Sequence, residues 1–489
     1  MDKDTGEAVM VNGNPVTASQ TFTSDGTKKV LDMHFNFDSS ALGGKTVVVC
    51  EKLTYGDYVA ATEEDMENKD QTIYFPEIHT TATDSETADH LTLADSRAVI
   101  TDTVTYTNLL KGETYTLSGV LMDKETGKEL LVDGEPVTQE MAFTAGRASG
   151  TKKLKFEFDT TGLAGKSFVV YETLTLEDVE VAEHKDINDE GQTIHIPAAQ
   201  TTATDDSSKI NVSEAKKEVS VTDTVAYRNL VPGKEYTVRG TAVDKETGEP
   251  LTDADGNELV STAKFTAASA DGSVDVKFTF DGTAMAGRSV VFFENVYYTD
   301  KLIAVHADID DEAQTVHIPL IFTSVKDKDT DSHMSLAGSD VTLTDTVAYR
   351  NLVPGKTYTI SGTLMDQRTG KAVTVNGKAV TSSADFTPDT ADGETTVDFH
   401  FNTNGLDDTT VVVFEKMFYG KAEIAAHEDI NDKGQTIYIP SVKTTAIDDK
   451  TATKLTLAEK DIHITDTVAY RNLVPGEKYT VTGLSLIHI

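Results

Sequence analysis

The sequence predicts an all-β chain of tandem antiparallel β-sandwich domains of immunoglobulin-like type, three complete and two truncated. Three observations carry this. A domain-sized motif recurs at Thr101, Thr222, Thr344 and Thr465, spaced by 121, 122 and 121 residues. Within each period, short alternating segments are separated by Gly, Pro and Asp turns, the pattern of strands and hairpins. No long stretch shows a helical period of apolar residues. Strands of this length in a domain of this size point to a sandwich. At 489 residues the chain exceeds one core, and size alone suggests about three or four domains.

The repeats read "TDTVTYTNLLKGETYTLSG", "TDTVAYRNLVPGKEYTVRG", "TDTVAYRNLVPGKTYTISG" and "TDTVAYRNLVPGEKYTVTG". In the third domain "VSVTDTVAYRNL" alternates, "VPG" turns, "EYTVRGTAVD" alternates again, "KETG" turns, and "VDVKFTFDG" and "RSVVFFENVYY" follow. The "KETG", "DKDTG" and "DQRTG" segments are read as hairpin turns. Complete domains are expected at 77–197, 198–319 and 320–440, joined at "IPAAQ", "IPLIF" and "IPSVK" like beads on a string. Residues 1–76 begin in mid-repeat and lack the early strands. Residues 441–489 stop soon after "KYTVTG", and the closing "LSLIHI" fits no repeat and reads as sequencing-adapter sequence.

A net charge of −38 argues against nucleic acid or an anionic membrane as partner, since either would repel the chain. No apolar run approaches the roughly 18 residues of a membrane span, and "MDKDTGEAVM" lacks the features of a signal peptide. The single cysteine, Cys50, excludes a disulfide within the chain. A secreted protein would then need another device to hold its domains together. Cys50 follows "TVVV" and is read as a small buried hydrophobe.

Residues two apart in a strand share a face, so parity identifies the side chains that enter the core. Asp223 shares parity with Val221, Val225 and Tyr227; Glu294 with Val290, Phe292 and Val296. Read as strand residues, Gln314 lines up with Val316 and Ile318, and Thr201 with Ala199 and Ala203. Four polar side chains are thus expected in one apolar core. The neighbouring domains repeat the set as Thr80, Asp102, Glu172 and Gln192, and as Thr323, Asp345, Glu415 and Gln435. In "IFTSVKD" the outward partner of Thr323 becomes Ser324, and the inward hydroxyl is kept. A histidine stands eight residues before each glutamine, as His184, His306 and His427, in "HKDINDEGQT", "HADIDDEAQT" and "HEDINDKGQT".

A buried carboxylate takes up a proton or finds a partner, and two inward acids can share one proton. Beside them stand a nucleophilic hydroxyl, an acylating carboxamide and, at the edge, a histidine as base. That inventory suits acyl transfer. The Thr hydroxyl would attack the Gln carbonyl, ammonia would leave, and an ester would join the first strand of a domain to the last. No cofactor and no metal are required.

At these residues the chain resembles the ester-bond domains, or VaFE repeats, of Gram-positive surface-adhesin stalks. The likeness runs through "TTATD", "TDTVAYRNLVPG", "VVFFE" or "VVVFE", and the "H…DINDxxQT" string. It implies esters from Thr80 to Gln192, Thr201 to Gln314 and Thr323 to Gln435. It also implies that Asp102 with Glu172, Asp223 with Glu294 and Asp345 with Glu415 are assisting acids, alongside His184, His306 and His427. In the last repeat Thr444 and Asp466 match the motif. The first keeps Glu51 and Gln71 but carries Glu63 at the histidine position. The implied protein is a monomeric fibre outside the cell, attached to a Gram-positive wall, meeting a host ligand through a tip beyond these residues.

Two rival readings are set beside this one. The "HADIDDEAQ" run offers closely spaced oxygens for calcium, though it lacks the glycine and terminal Glu of an EF-hand. Uncrosslinked repeats could instead bind a host protein or glycan. Tyr227 and Tyr349 are candidate sugar platforms, but their inward parity assigns them to the core.

Overall fold

The computed structural model describes residues 1–26 and 28–483, and the closing "LSLIHI" lies outside the described residues. The repeat at 198–319 illustrates the fold. Its strands are β1 Ala198–Asp205, β2 Val219–Arg228, β3 Glu235–Asp244, β4 Val260–Thr266, β5 Gly272–Phe280, β6 Arg288–Tyr298, β7 Lys301–His306 and β8 Thr315–Ile318. One sheet has the order β1-β2-β5, and the other β4-β3-β6 with both β7 and β8 on the far edge of β6. Every one of these pairings is antiparallel. Among the described residues helical turns are limited to short 3-10 segments.

Alternation explains the strands. In β2, Val219, Val221, Asp223, Val225 and Tyr227 are buried while Ser220, Thr222 and Thr224 are half-exposed. The inward faces of both sheets close over one core containing Val225, Tyr236, Phe278, Phe292, Val316 and Ile318. Burying each such side chain contributes about 1.5–3 kcal/mol. Tyr227 and Tyr349 are core residues, and Tyr227 stacks on Phe265 with ring centroids 5.1 Å apart.

The edge of β6 changes partner part-way along. Its second half pairs with β7, placing Glu294 opposite His306, and its first half pairs with β8, from Arg288 opposite Ile318 to Val291 opposite Thr315. The chain crosses between them through Asp311 and the 3-10 turn Glu312–Gln314. β1, on the edge of the opposite sheet, packs against β7, β8 and this turn. A seam between the two sheets results, with the first strand on one side and the last on the other.

The domains at 77–197 and 320–440 have the same topology. Their first strands are Glu77–Asp84 and Leu320–Asp327, and their closing strands are Thr193–His195 and Thr436–Ile439. The outer repeats are partial. Residues 1–75 hold a small cluster of Val9, Leu42 and Val47, and Ser441–Asp448 pairs with Ile464–Arg471 as a two-stranded sheet.

Two expectations need correction. Gln314 ends a 3-10 turn and is not a strand residue, and Gln192 and Gln435 also lie in turns. The side chain still points inward because the turn delivers it across the seam. Cys50 is half-buried, not buried, because it lines an open apolar cavity of the first repeat with Val47, Val48 and Phe75.

Candidate functional site

Thr201 stands at the middle of β1 and Gln314 at the end of the turn before β8, so the seam brings them face to face. Gln314 is fully buried and Thr201 is 3% exposed. Gln314 Nε2 donates to Thr201 Oγ1 at 2.9 Å, to the Phe292 carbonyl at 2.7 Å, to Glu294 Oε2 at 3.0 Å and to the His306 carbonyl at 3.3 Å. The Phe292 carbonyl is available because β6 is unpaired on this edge between Val291, opposite Thr315, and Glu294, opposite His306.

The other complete domains assemble the same groups with small differences. At 320–440, Gln435 Nε2 donates to both Thr323 Oγ1 and Glu415 Oε2, and Thr323 Oγ1 lies 3.3 Å from Glu415 Oε2. At 77–197, Glu172 bridges the pair. It accepts from Thr80 Oγ1 at 3.2 Å and from Gln192 Nε2 at 3.0 and 2.8 Å. The carbonyl oxygens of Gln192, Gln314 and Gln435 accept no hydrogen bond.

The acids lie beneath. Asp102, Asp223, Asp345 and Glu172, Glu294, Glu415 are all fully buried. Burial pushes each of these glutamates far above the ordinary carboxyl range, and the adjacent aspartate pushes it further. Burial also raises the aspartates, while hydrogen bonding with the neighbouring glutamate pulls them back. Both oxygens of each aspartate otherwise lack a donor. A proton held by the glutamate gives the adjacent aspartate a donor.

Each histidine sits opposite the glutamate across the β6–β7 pair: His184 opposite Glu172, His306 opposite Glu294, His427 opposite Glu415. In two of the three domains its Nδ1 edge faces the threonine. His306 Nδ1 accepts from the Thr201 backbone N–H at 3.2 Å, and His427 Nδ1 is 3.4 Å from Thr323 Oγ1.

Three residues at the opposite ring edge escaped the sequence reading. Asp189, Asp311 and Asp432 reach Nε2 of His184, His306 and His427 at 2.8, 3.2 and 3.0 Å. Each is held by an Asx turn, its other oxygen accepting from the N–H of Gly191, Ala313 or Gly434. The signal was present as an aspartate five residues after every histidine. These three carboxylates are engaged with histidine and backbone. A glycine was also missed. Gly119, Gly240 and Gly362 stand opposite the three glutamates on β3, and a Cβ on Gly240 would lie 2.5 Å from Phe278 Cζ and 3.3 Å from Glu294 Oε1.

The partial repeats hold parts of the set. Gln71 Nε2 donates to Glu51, and Glu63 lies opposite Glu51 where the histidine would be. Thr444 and Asp466 are exposed, on strands in the usual register, with Ala446 opposite Asp466 as Ala203 is opposite Asp223.

The family described as T-Q ester bond containing domain matches residues 1–75, 76–196, 197–318, 319–439 and 440–486. The chain belongs to the T-Q ester bond domain family. Among solved structures, one similar chain is a Mobiluncus mulieris adhesin containing intramolecular disulfide, isopeptide and ester bond cross-links. It is 14% identical over 56% of this chain and 97% of its own, with a TM-score of 0.21. Escherichia coli alpha-2-macroglobulin activated by porcine elastase is 11% identical over 83% of this chain and 37% of its own, with a TM-score of 0.19. No curated protein matches. For a T-Q ester bond domain, the threonine and glutamine across the seam are the two residues of interest, and the histidine, paired acids and aspartate surround them.

Proposed function

We propose that the chain is a structural stalk whose complete domains staple themselves by Thr–Gln ester bonds, between Thr80 and Gln192, Thr201 and Gln314, and Thr323 and Gln435. The observation that carries this is the buried contact of Thr201 Oγ1 with the Gln314 carboxamide. Thr201 Oγ attacks Gln314 Cδ as His306 Nδ1, held at the other ring edge by Asp311, shifts from the Thr201 N–H to the hydroxyl, the contact His427 Nδ1 makes with Thr323 Oγ1, and takes its proton. The carbonyl oxygen becomes the oxyanion of a tetrahedral intermediate. Protonated Glu294, which touches Gln314 Nε2, gives its proton to the departing nitrogen. The C–N bond breaks, ammonia leaves, and the proton held by His306 returns to the Asp223–Glu294 pair. One hydroxyl and one amide become one ester and one ammonia.

Each site reacts once with itself, so the protein is no enzyme in the turnover sense, and the chemistry asks for no cofactor. Family membership and the adhesin among its structural relatives support a place on a cell surface, with the crosslinked shaft holding a ligand-binding tip away from a Gram-positive wall. Intact-mass measurement tests the reading. Three complete domains should show a deficit of three ammonia molecules, and Thr201→Ala should restore one of them. A full-length mass with no deficit overturns the proposal.

A further inference from the structure

Successive repeats are not connected by their linkers alone. Each complete domain ends in a socket, and the next repeat inserts an asparagine into it. In the joint between 77–197 and 198–319, Asn229 Nδ2 donates to the carbonyls of Lys166 at 2.6 Å and Ile196 at 3.2 Å. Its Oδ1 accepts from Ser167 Oγ at 2.8 Å and lies 3.0 Å from His195 Nδ1. The next joint repeats this: Asn351 reaches the Arg288 carbonyl at 2.6 Å, Ser289 Oγ at 3.0 Å and His317 Nδ1 at 3.0 Å. Asn108 and Asn472 make the corresponding contacts at the outer joints, with Thr46 and Thr410 replacing serine.

All four asparagines have left-handed backbones, with φ of 62, 61, 60 and 56° for Asn108, Asn229, Asn351 and Asn472. Glycine and asparagine tolerate that region best, but glycine has no side chain to insert. The position therefore needs asparagine for both its backbone and its amide. An aspartate would keep the shape and set carboxylate oxygens against the socket carbonyls.

A second contact runs in the opposite direction. The segment around Leu91 pairs with the closing strand of its own domain, where Thr92 N–H donates to the His195 carbonyl at 3.0 Å. The Leu91 side chain is fully buried in the core cluster of the following domain, with Tyr236 and Phe292. Beside it, Asp89 accepts from Tyr298 Oη at 2.7 Å and pairs with Lys234, both in that domain. Val212 likewise belongs to the core cluster of 320–440, with Ile210 packed against it.

We infer that neighbouring repeats form a reciprocal latch, in which asparagine enters the preceding domain and an aliphatic plug enters the following one. The partner that fits each socket is the next repeat of the same chain. The latch holds neighbouring domains in one fixed relation across each joint, and it acts independently of the ester within each domain. Its socket strand is also the one that follows the crosslinking glutamine, since Gln192 and His195 are three residues apart. Load arriving through Asn229 is thus delivered next to the staple.

The test uses the full chain with Cys50→Ser and spin labels on cysteines replacing the exposed Lys155 and Lys277, one in each flanking domain. Electron–electron dipolar spectroscopy should give a narrow distance distribution in the parent. Asn229→Gly and Asn229→Asp should each broaden it, while the ammonia deficit stays unchanged. The socket variant Ser167→Ala with His195→Phe leaves the inserting repeat intact and should broaden it too. A broad distribution in the parent, or a narrow one in the socket variant, overturns the latch.

Discussion

Thr201 Oγ1 and Gln314 Nε2 are 2.9 Å apart inside the core although 113 residues separate them in sequence. One lies on the first strand of its domain and the other immediately before the last. A bond at this point closes nearly the whole domain, and tension on the two ends passes through it.

Thr201→Ala removes the nucleophile and should lower the stability of its domain. In the chain-entropy description, a crosslink closing a loop of this length contributes about 4–5 kcal/mol, as for a disulfide of similar span. Urea unfolding of the variant against the parent measures the difference. Equal midpoints would show that no covalent staple exists there.

Asp311→Asn should slow ester formation without preventing folding, because the ring of His306 loses the carboxylate that holds Nε2. His306→Ala should slow it more, by roughly 10²–10⁴-fold, the usual contribution of a positioned base. Ammonia release followed by mass after refolding gives both rates. A variant of His306 that crosslinks at the parental rate would remove histidine from the mechanism.

The buried acids set a pH dependence. Burial and Asp223 raise Glu294, so above the ordinary glutamate range the native domain holds a proton that the unfolded chain has lost. Stability from this pair is therefore fully present below the unfolded value and falls as pH rises toward the raised native one. Denaturant midpoints of Thr201→Ala, which isolates the acids from the ester, should decline from mildly acidic to alkaline pH. Adding Glu294→Gln should flatten that decline; an unchanged slope would mean that other groups cause it.

Gly240→Ala places a methyl group against Phe278 and Glu294 at the floor of the site. Overpacking of this kind typically costs about 1–3 kcal/mol, and displacement of Glu294 should also reduce the yield of ester. Thermal unfolding and intact mass report the two effects separately. Normal values for both would show that the aromatic ring moves aside freely.

Parity made the inward direction of Asp223 and Glu294 legible, because each lies within a strand whose neighbours alternate cleanly. It reached the right direction for Gln314 through the wrong element, since a 3-10 turn delivers that side chain. Asp311 was hidden inside a run of acids that all read alike. Its distinction is an Asx turn aiming one oxygen at His306, and turns of that kind do not show in periodicity. Nothing in the sequence singles out Asn229, because its partners belong to the preceding domain.

By itself the sequence determined the repeat, the strands and which side chains face inward, because period and alternation are local properties of the chain. Only the tertiary structure decided that Thr201 meets Gln314, that Glu294 and Asp223 share one dry site, and that Asn229 enters a neighbouring domain. Those relations depend on how two sheets pack and where the edge of β6 changes partner. Distances of that kind are set by long-range register, which no short stretch of residues specifies.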